Sequence, residues 1–315
     1  MNTTKAFDWV TFAKNCFYTV EGSLILGSNL VIIATVLSHQ ALRDRKEYLI
    51  VSSLSFVDGV SGLGTICAGI KRNSILIFGA RKPFFTAWEC FLELQNIFWT
   101  YAIPMQGVQL FVVNLDRYFS ILLPLQYLSW GPRYAKLMLS LSLGFGAVQF
   151  LVGAASANTL QQVENVPPIC LMGFALAPWF FRFCYSTQIT FTFISVGLYV
   201  LIYVTYRYKT NRIAPIVDSR KQEQLDMQKR LTLSVGFSCI YTLLLFGIPS
   251  IINQISYALG VFHLVGMYTF IISNVNPILN LAIYVKRHAD LRMGVTALFK
   301  CKTMPADVSL WNVTS

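Results

Sequence analysis

Seven long apolar stretches run through this chain of 315 residues, and they restrict its fold more than any other feature. They cover about Tyr18–Ser38, Tyr48–Ile70, Trp88–Leu115, Tyr134–Ala155, Ser186–Tyr206, Leu231–Gln254 and Tyr257–Val285. A bilayer core about 30 Å thick is crossed by roughly 20 helical residues, so each stretch is long enough to span it. With 55% hydrophobic and 12% charged residues, the chain has too little polar surface for a soluble globule. The sequence therefore predicts an all-α membrane protein, a seven-transmembrane helix bundle formed by a single domain. Residues 1–17 precede the bundle, residues 18–285 form it, and residues 286–315 follow as a short amphipathic helix and tail.

An odd number of spans puts the termini on opposite sides of the membrane. With the N-terminus outside, 18 of the 25 Lys and Arg residues fall on the inner side, as the positive-inside rule requires. Membrane lipid thus accounts for the net charge of +11, with no nucleic acid involved. Lys71, Arg72, Arg81 and Lys82 run against the rule. Residues 1–17 lack a continuous apolar core and do not read as a cleaved signal. Asn2-Thr3-Thr4 is a glycosylation sequon, usable on an outer terminus, and the pattern recurs at Asn312-Val313-Thr314. The seven cysteines form no paired C-x-x-C metal pattern, and no metal or cofactor is expected.

Polar residues inside the apolar stretches mark candidate sites, because each is costly in lipid and must face other helices. Asn29 lies within the first span and Asp58 about halfway along the second. Glu89, Glu93, Asn96 and Thr100 recur at helical spacing, which predicts one polar stripe at the start of the third span, with Trp99 beside it. Pro104 lies one turn further, where it should bend the helix. At the far end of that span Asp116, Arg117 and Tyr118 stand together, with Pro124 seven residues after the arginine. After the last span, Lys286 to Lys300 alternates basic and apolar groups, as an interfacial helix does, and Cys301 follows as a candidate palmitoylation site.

Asp116-Arg117-Tyr118 with Pro124 and Leu125-Gln126-Tyr127, together with Gly27-x-Asn29, Leu54-x-x-x-Asp58 and Asn276-Pro277, resembles the rhodopsin-like (class A) G-protein-coupled receptors. The motifs fall in the right order from about Gly22 to Lys300. The short tails and the departures from the usual motifs are most similar to the nematode serpentine chemoreceptors. Phe246-Gly247-Ile248-Pro249 keeps the kinking proline of the sixth span but has Gly247 at the usual tryptophan. Asn280 stands at the usual tyrosine of the seventh span, Ser195 at the usual proline of the fifth, and the fourth lacks its tryptophan.

The resemblance implies a plasma-membrane receptor, not an enzyme, that binds an extracellular chemosensory small molecule or peptide and activates a heterotrimeric G protein. It assigns the switch to Asp116, Arg117, Tyr118, Tyr203, Asn276, Pro277 and Asn280, and a buried polar core to Asn29, Asp58 and Asn276. It implies a disulfide between Cys90 and Cys170, and a ligand wall at Glu93, Asn96, Trp99 and Thr100. Trp99 stands where amine receptors carry an aspartate, which argues against a biogenic amine. A sodium ion beside Asp58 is not supported, since Gln106 and Ile272 fill the other usual polar positions. Lys229 occupies the position of an acid that usually restrains the arginine, which implies high basal signalling. A transporter or channel is the rival class, and it would show internal repeats or a continuous charged path. An enzyme would need a reactive constellation at one depth, whereas His39, His263 and His288 lie in or near loops.

Overall fold

A computed structural model describes residues 8–160, 164–213, 241–287 and 289–300. The first helix, α1 (Trp9–Ser38), begins well before the expected Tyr18 because Asp8 caps it, accepting from the Thr11 backbone N–H at 3.0 Å. A short turn, α2 (Gln40–Arg43), leads to α3 (Lys46–Phe78), which ends where Gly79 takes φ +80 and its N–H reaches Ile75 O. Only glycine enters that left-handed geometry freely.

Strand β1 (Phe85–Thr86) and helix α4 (Ala87–Phe91) precede α5 (Leu94–Leu122), which contains Pro104 and Asp116-Arg117-Tyr118. The sequence predicts one span from Trp88; the structure interrupts it, with Glu93 extended at φ −66 and ψ 132. Pro124 opens α6 (Pro124–Ser129) and Pro132 opens α7 (Pro132–Asn158), each in the first turn, where the missing N–H is harmless. Strand β2 (Glu164–Val166) pairs antiparallel with β1, Phe85 facing Val166. Then come α8 (Met172–Ala175) and α9 (Pro178–Ile213). A π turn, Leu243–Gly247, runs into α10 (Ile248–Ala258), one residue ahead of Pro249. The chain continues through α11 (Phe262–Arg287), with Pro277 inside it, and α12 (Ala289–Phe299).

Among the described residues, five helical segments could cross a membrane by length and composition: Trp9–Ser38, Lys46–Phe78, Pro132–Asn158, Pro178–Tyr208 and Tyr268–Lys286. A shorter apolar segment covers Leu243–Ser256. Helix α5 has the length but carries many polar residues, among them Gln95, Asn96, Thr100, Gln106, Gln109, Asn114 and Asp116, all buried. It lies between α3, α7 and α9, so it can be polar without meeting lipid.

The faces of α7 show the environment directly. Ser142, Gly146, Gln149 and Gly153 are buried, while Leu137, Leu141, Phe145, Val148 and Leu151 are exposed. Large apolar groups outside and small or polar ones inside is the arrangement of a helix packed in lipid. Helices α1 and α3 approach along glycines: a Cβ on Gly22 would lie 2.8 Å from Gly62 O, and one on Gly62 would lie 2.9 Å from Gly22 O. Further along the seam, a Cβ on Gly69 would collide with Thr19 and Asn15.

Candidate functional site

Polar side chains gather at three levels: the disulfide end, the middle of the bundle, and the Arg117 end.

At the disulfide end Cys90 is bonded to Cys170, as expected, and both are fully buried. The Thr86 side chain accepts from Glu89 N–H, and the Glu89 carboxylate accepts from Thr86 N–H, a reciprocal cap on α4. Lys82 donates to the other Glu89 oxygen at 2.8 Å. The Lys82 ammonium, helped by the Thr86 N–H, holds the Glu89 carboxyl below its ordinary range. Lys71 pairs with Glu93 at 2.7 Å and the Arg72 guanidinium lies 4.9 Å over the Tyr18 ring. The basic residues that break the positive-inside rule are therefore partly matched by lid acids and an aromatic face.

The predicted continuous stripe does not form. Glu89 caps α4 and Glu93 sits in the break, so only Asn96 and Thr100 share the face of α5. Asn96 Nδ2 donates to Cys90 O at 2.7 Å and Cys170 O at 3.0 Å, and Gln95 Nε2 donates to Ile169 O and Cys170 O. These amides grip Cys170, which holds φ +50, a conformation uncommon for a residue other than glycine. Trp99 packs against Gly64 of α3 and edge-on to Phe270 at 5.3 Å, whereas Thr100 fits against Gly153 of α7. Among the described residues, Trp99 Nε1, Thr100 Oγ1 and Asn96 Oδ1 are buried without a hydrogen-bond partner.

At mid-depth both oxygens of Asp58 accept amide hydrogens, from Gln106 Nε2 at 3.0 Å and from Asn280 Nδ2 at 3.1 Å. A small cavity beside it is lined by Leu54, Leu110, Thr242, Phe246 and Asn276. Asn276 turns to Thr242, which donates to it at 3.3 Å, and Asn29 donates to Ile25 O of its own helix. Amide donors thus stand where a cation would need free oxygens, and Ile272 offers no polar side-chain atom. The residues present do not fit a sodium ion. Between α1 and α11, sequence reasoning missed a further pair: Asn274 Nδ2 donates to Glu21 Oε2 at 3.1 Å, both residues being buried. A carboxylate in the first apolar stretch was its visible signal.

At the opposite end Asp116 is 0% exposed. It accepts from the Tyr127 hydroxyl through both oxygens, at 2.9 and 3.1 Å, and lies 3.8 Å from Arg117 Nε. Burial first, and the Asp116 charge second, push the Tyr127 phenol up, so it stays protonated as the donor. The buried Lys46 ammonium donates to Tyr127 O and to Trp130 O and lies 3.5 Å over the Tyr127 ring. On the other side of the same turn, Arg45 pairs with Asp290 of α12, which also accepts from Tyr48 OH at 3.4 Å. The resemblance identified Asp116 and Arg117 but gave no role to Lys46, Tyr127 or Asp290. Tyr118 lies beside Phe119, Pro277 lies within α11, and Tyr203 is 42% exposed on α9. Lys229, Asn2 and Cys301 lie outside the described residues.

Membrane-length helices with small and polar groups turned inward, a disulfide-pinned loop and an Asp-Arg pair at the opposite end describe a multi-pass membrane protein. Residues 24–299 match the serpentine-type 7TM GPCR chemoreceptor family Srsx, and the chain belongs to that family. The resemblance to a divergent serpentine chemoreceptor is thereby borne out. A search among curated proteins returns no match.

Proposed function

We propose that this protein is a seven-span receptor with its N-terminus and disulfide lid outside, which binds an extracellular chemosensory ligand and activates a heterotrimeric G protein through its Arg117 face. Helix α5 and the segment ending at Ala258 supply the two spans beyond the five apolar ones. The observation that carries this reading is the Asp116–Arg117 pair, buried at the end of the central helix and held by Tyr127 from the adjoining short helix α6. A buried charged pair needs a partner or an exchange of partners, and a contact between α5 and α6 that can open provides the exchange. The proposed ligand segment is the outer half of α5 from Glu93 to Thr100. There the unpartnered Trp99 N–H, Thr100 hydroxyl and Asn96 carbonyl offer two donors and one acceptor. Family membership supports chemoreception, and the particular ligand and G-protein class are what the experiment finds.

The test is second-messenger output in cells expressing this chain with each class of G protein, screened with small odorants and peptides. Ligand-dependent output that disappears in Arg117→Ala at matched surface expression is expected. Undiminished output in that variant would overturn the switch role of Arg117.

A further inference from the structure

Four consecutive residues at the start of α3 face two different elements. Lys46 and Glu47 face α6: the Lys46 ammonium meets the carbonyls of Tyr127 and Trp130, and Glu47 lies 3.4 Å from the Tyr127 hydroxyl. Arg45 and Tyr48, three residues apart and so on one side of the turn, both meet Asp290 of α12. Trp130 is the residue that ends α6. Lys46 therefore caps the carbonyl end of that helix with a positive charge, where a helix dipole favours one. Burying an ammonium to that degree is unfavourable unless each of its hydrogens is used. Two carbonyls and an aromatic face use them here.

We propose that this first turn of α3, Arg45 to Tyr48, is a two-sided clamp that ties α6 to α12 and, through Tyr127, fixes the resting orientation of Asp116 and Arg117. Tyr127 is the shared element. Its ring carries Lys46, its backbone is held by Lys46, and its hydroxyl holds Asp116. Lys46 is thus a positioning residue, acting on the Asp116–Arg117 pair without touching it. Asp290 is positioned in the same sense, one further link away. The consequence for signalling rests on the G-protein reading above: a partner entering between α6 and α12 must loosen the clamp, and a loosened clamp raises ligand-free output.

The test uses the full chain in lipid nanodiscs, with amide hydrogen exchange read over residues 124–130 and 289–299, and ligand-free second-messenger output measured in cells. Lys46→Met, which keeps the stem and removes the charge, is expected to speed exchange in 124–130 about tenfold, and Lys46→Arg is expected to restore it. Asp290→Asn changes a residue of α12 whose partners are Arg45 and Tyr48, not α6, yet the clamp requires it to speed exchange in 124–130 as well, by about threefold. Acceleration confined to 289–299 would overturn the proposal, as would native-like exchange in Lys46→Met. Tyr127→Phe leaves the ring in place and guards against a folding failure in the lysine variants; a rise of about threefold or more in its ligand-free output is expected. If exchange spreads as described while native and variant chains are silent with every G-protein class, the clamp stands and the G-protein reading falls.

Discussion

At the disulfide end the chain is fastened to itself by a covalent bond and by amides aimed at the backbone of that bond, whereas at the Arg117 end it is held only by side chains that could be traded for others. Cys90 and Cys170 cannot separate, and Gln95 and Asn96 grip carbonyls on either side of the bridge. Asp116, Tyr127, Lys46, Arg45 and Asp290 make contacts of similar length, but each contact joins groups that a protein partner could also offer. Buried hydrogen bonds are strong at both ends when they are satisfied. What differs is whether a competitor exists. One end is closed by a covalent bond, and the other, on the reading proposed above, is the end that exchanges partners.

The largest effect is expected from removing the covalent link. Replacing Cys90 and Cys170 together by serine frees a loop of sequence separation 80. Stability should fall by about 4 kcal/mol on the loop-entropy account, read as a lower unfolding temperature of the solubilised protein and loss of surface expression. A shift as small as that of an ordinary surface substitution would erase the contrast between the ends.

Next is Asn96→Ala, which leaves the carbonyls of Cys90 and Cys170 without this buried donor. About 2 kcal/mol of destabilisation is expected, again by thermal unfolding. Were Asn96 chiefly a ligand contact, agonist potency would drop at unchanged unfolding temperature, so the two measurements separate the roles. The family resemblance expects residue 229 opposite Arg117, so Lys229→Glu should supply an attractive partner there. An ion pair near the surface contributes about 1 kcal/mol or less, so ligand-free output at matched expression should fall by roughly two- to fivefold. No fall would show that the missing acid is irrelevant to the resting state.

The smallest effect is a pH dependence of the lid. The Glu89 carboxyl is lowered in the folded protein by Lys82 and Thr86. Its stabilisation is therefore fully present above the ordinary glutamate value of about 4.3 and is lost as pH falls through the lowered value. Unfolding temperature should drop slightly on acidification across that window, and Glu89→Gln should remove this component. An unaltered pH profile in the variant would mean that the cap on α4 does not depend on the charge.

Much of this architecture was legible in the residues. Apolar length gave the helices, and Asp116-Arg117-Tyr118 marked the end where exchange is expected. The pairing of Cys90 with Cys170 followed from the family likeness rather than from geometry. The break at Glu93 was hidden because Glu89, Glu93, Asn96 and Thr100 keep a helical period across it. At the break, Lys71 pairs with Glu93 and the disulfide carbonyls accept from Asn96, contacts between segments that a helical period does not reveal. The partners of Asp58 were hidden for another reason: Gln106 and Asn280 come from helices distant in sequence, and which amide reaches a carboxylate depends on helix rotation. Lys46 looked like one more positive-inside lysine, and nothing in sequence distinguishes a solvated lysine from one buried against two carbonyls.

The glycine seam between α1 and α3 has a mechanical consequence. From Gly62 to Gly69 the two backbones approach closely along about 10 Å of helix, leaving little room for side chains between them. Close packing of this kind resists sliding of one helix past the other, so the pair is expected to behave as one strut. The clamp at Arg45–Tyr48 is mounted on one end of that strut and Lys71, paired with a lid glutamate, on the other. Any rearrangement at the Arg117 end is then expected to be a motion of the remaining helices against this frame. In that frame the π turn at Leu243–Gly247 is an irregular joint among the helices left free to move.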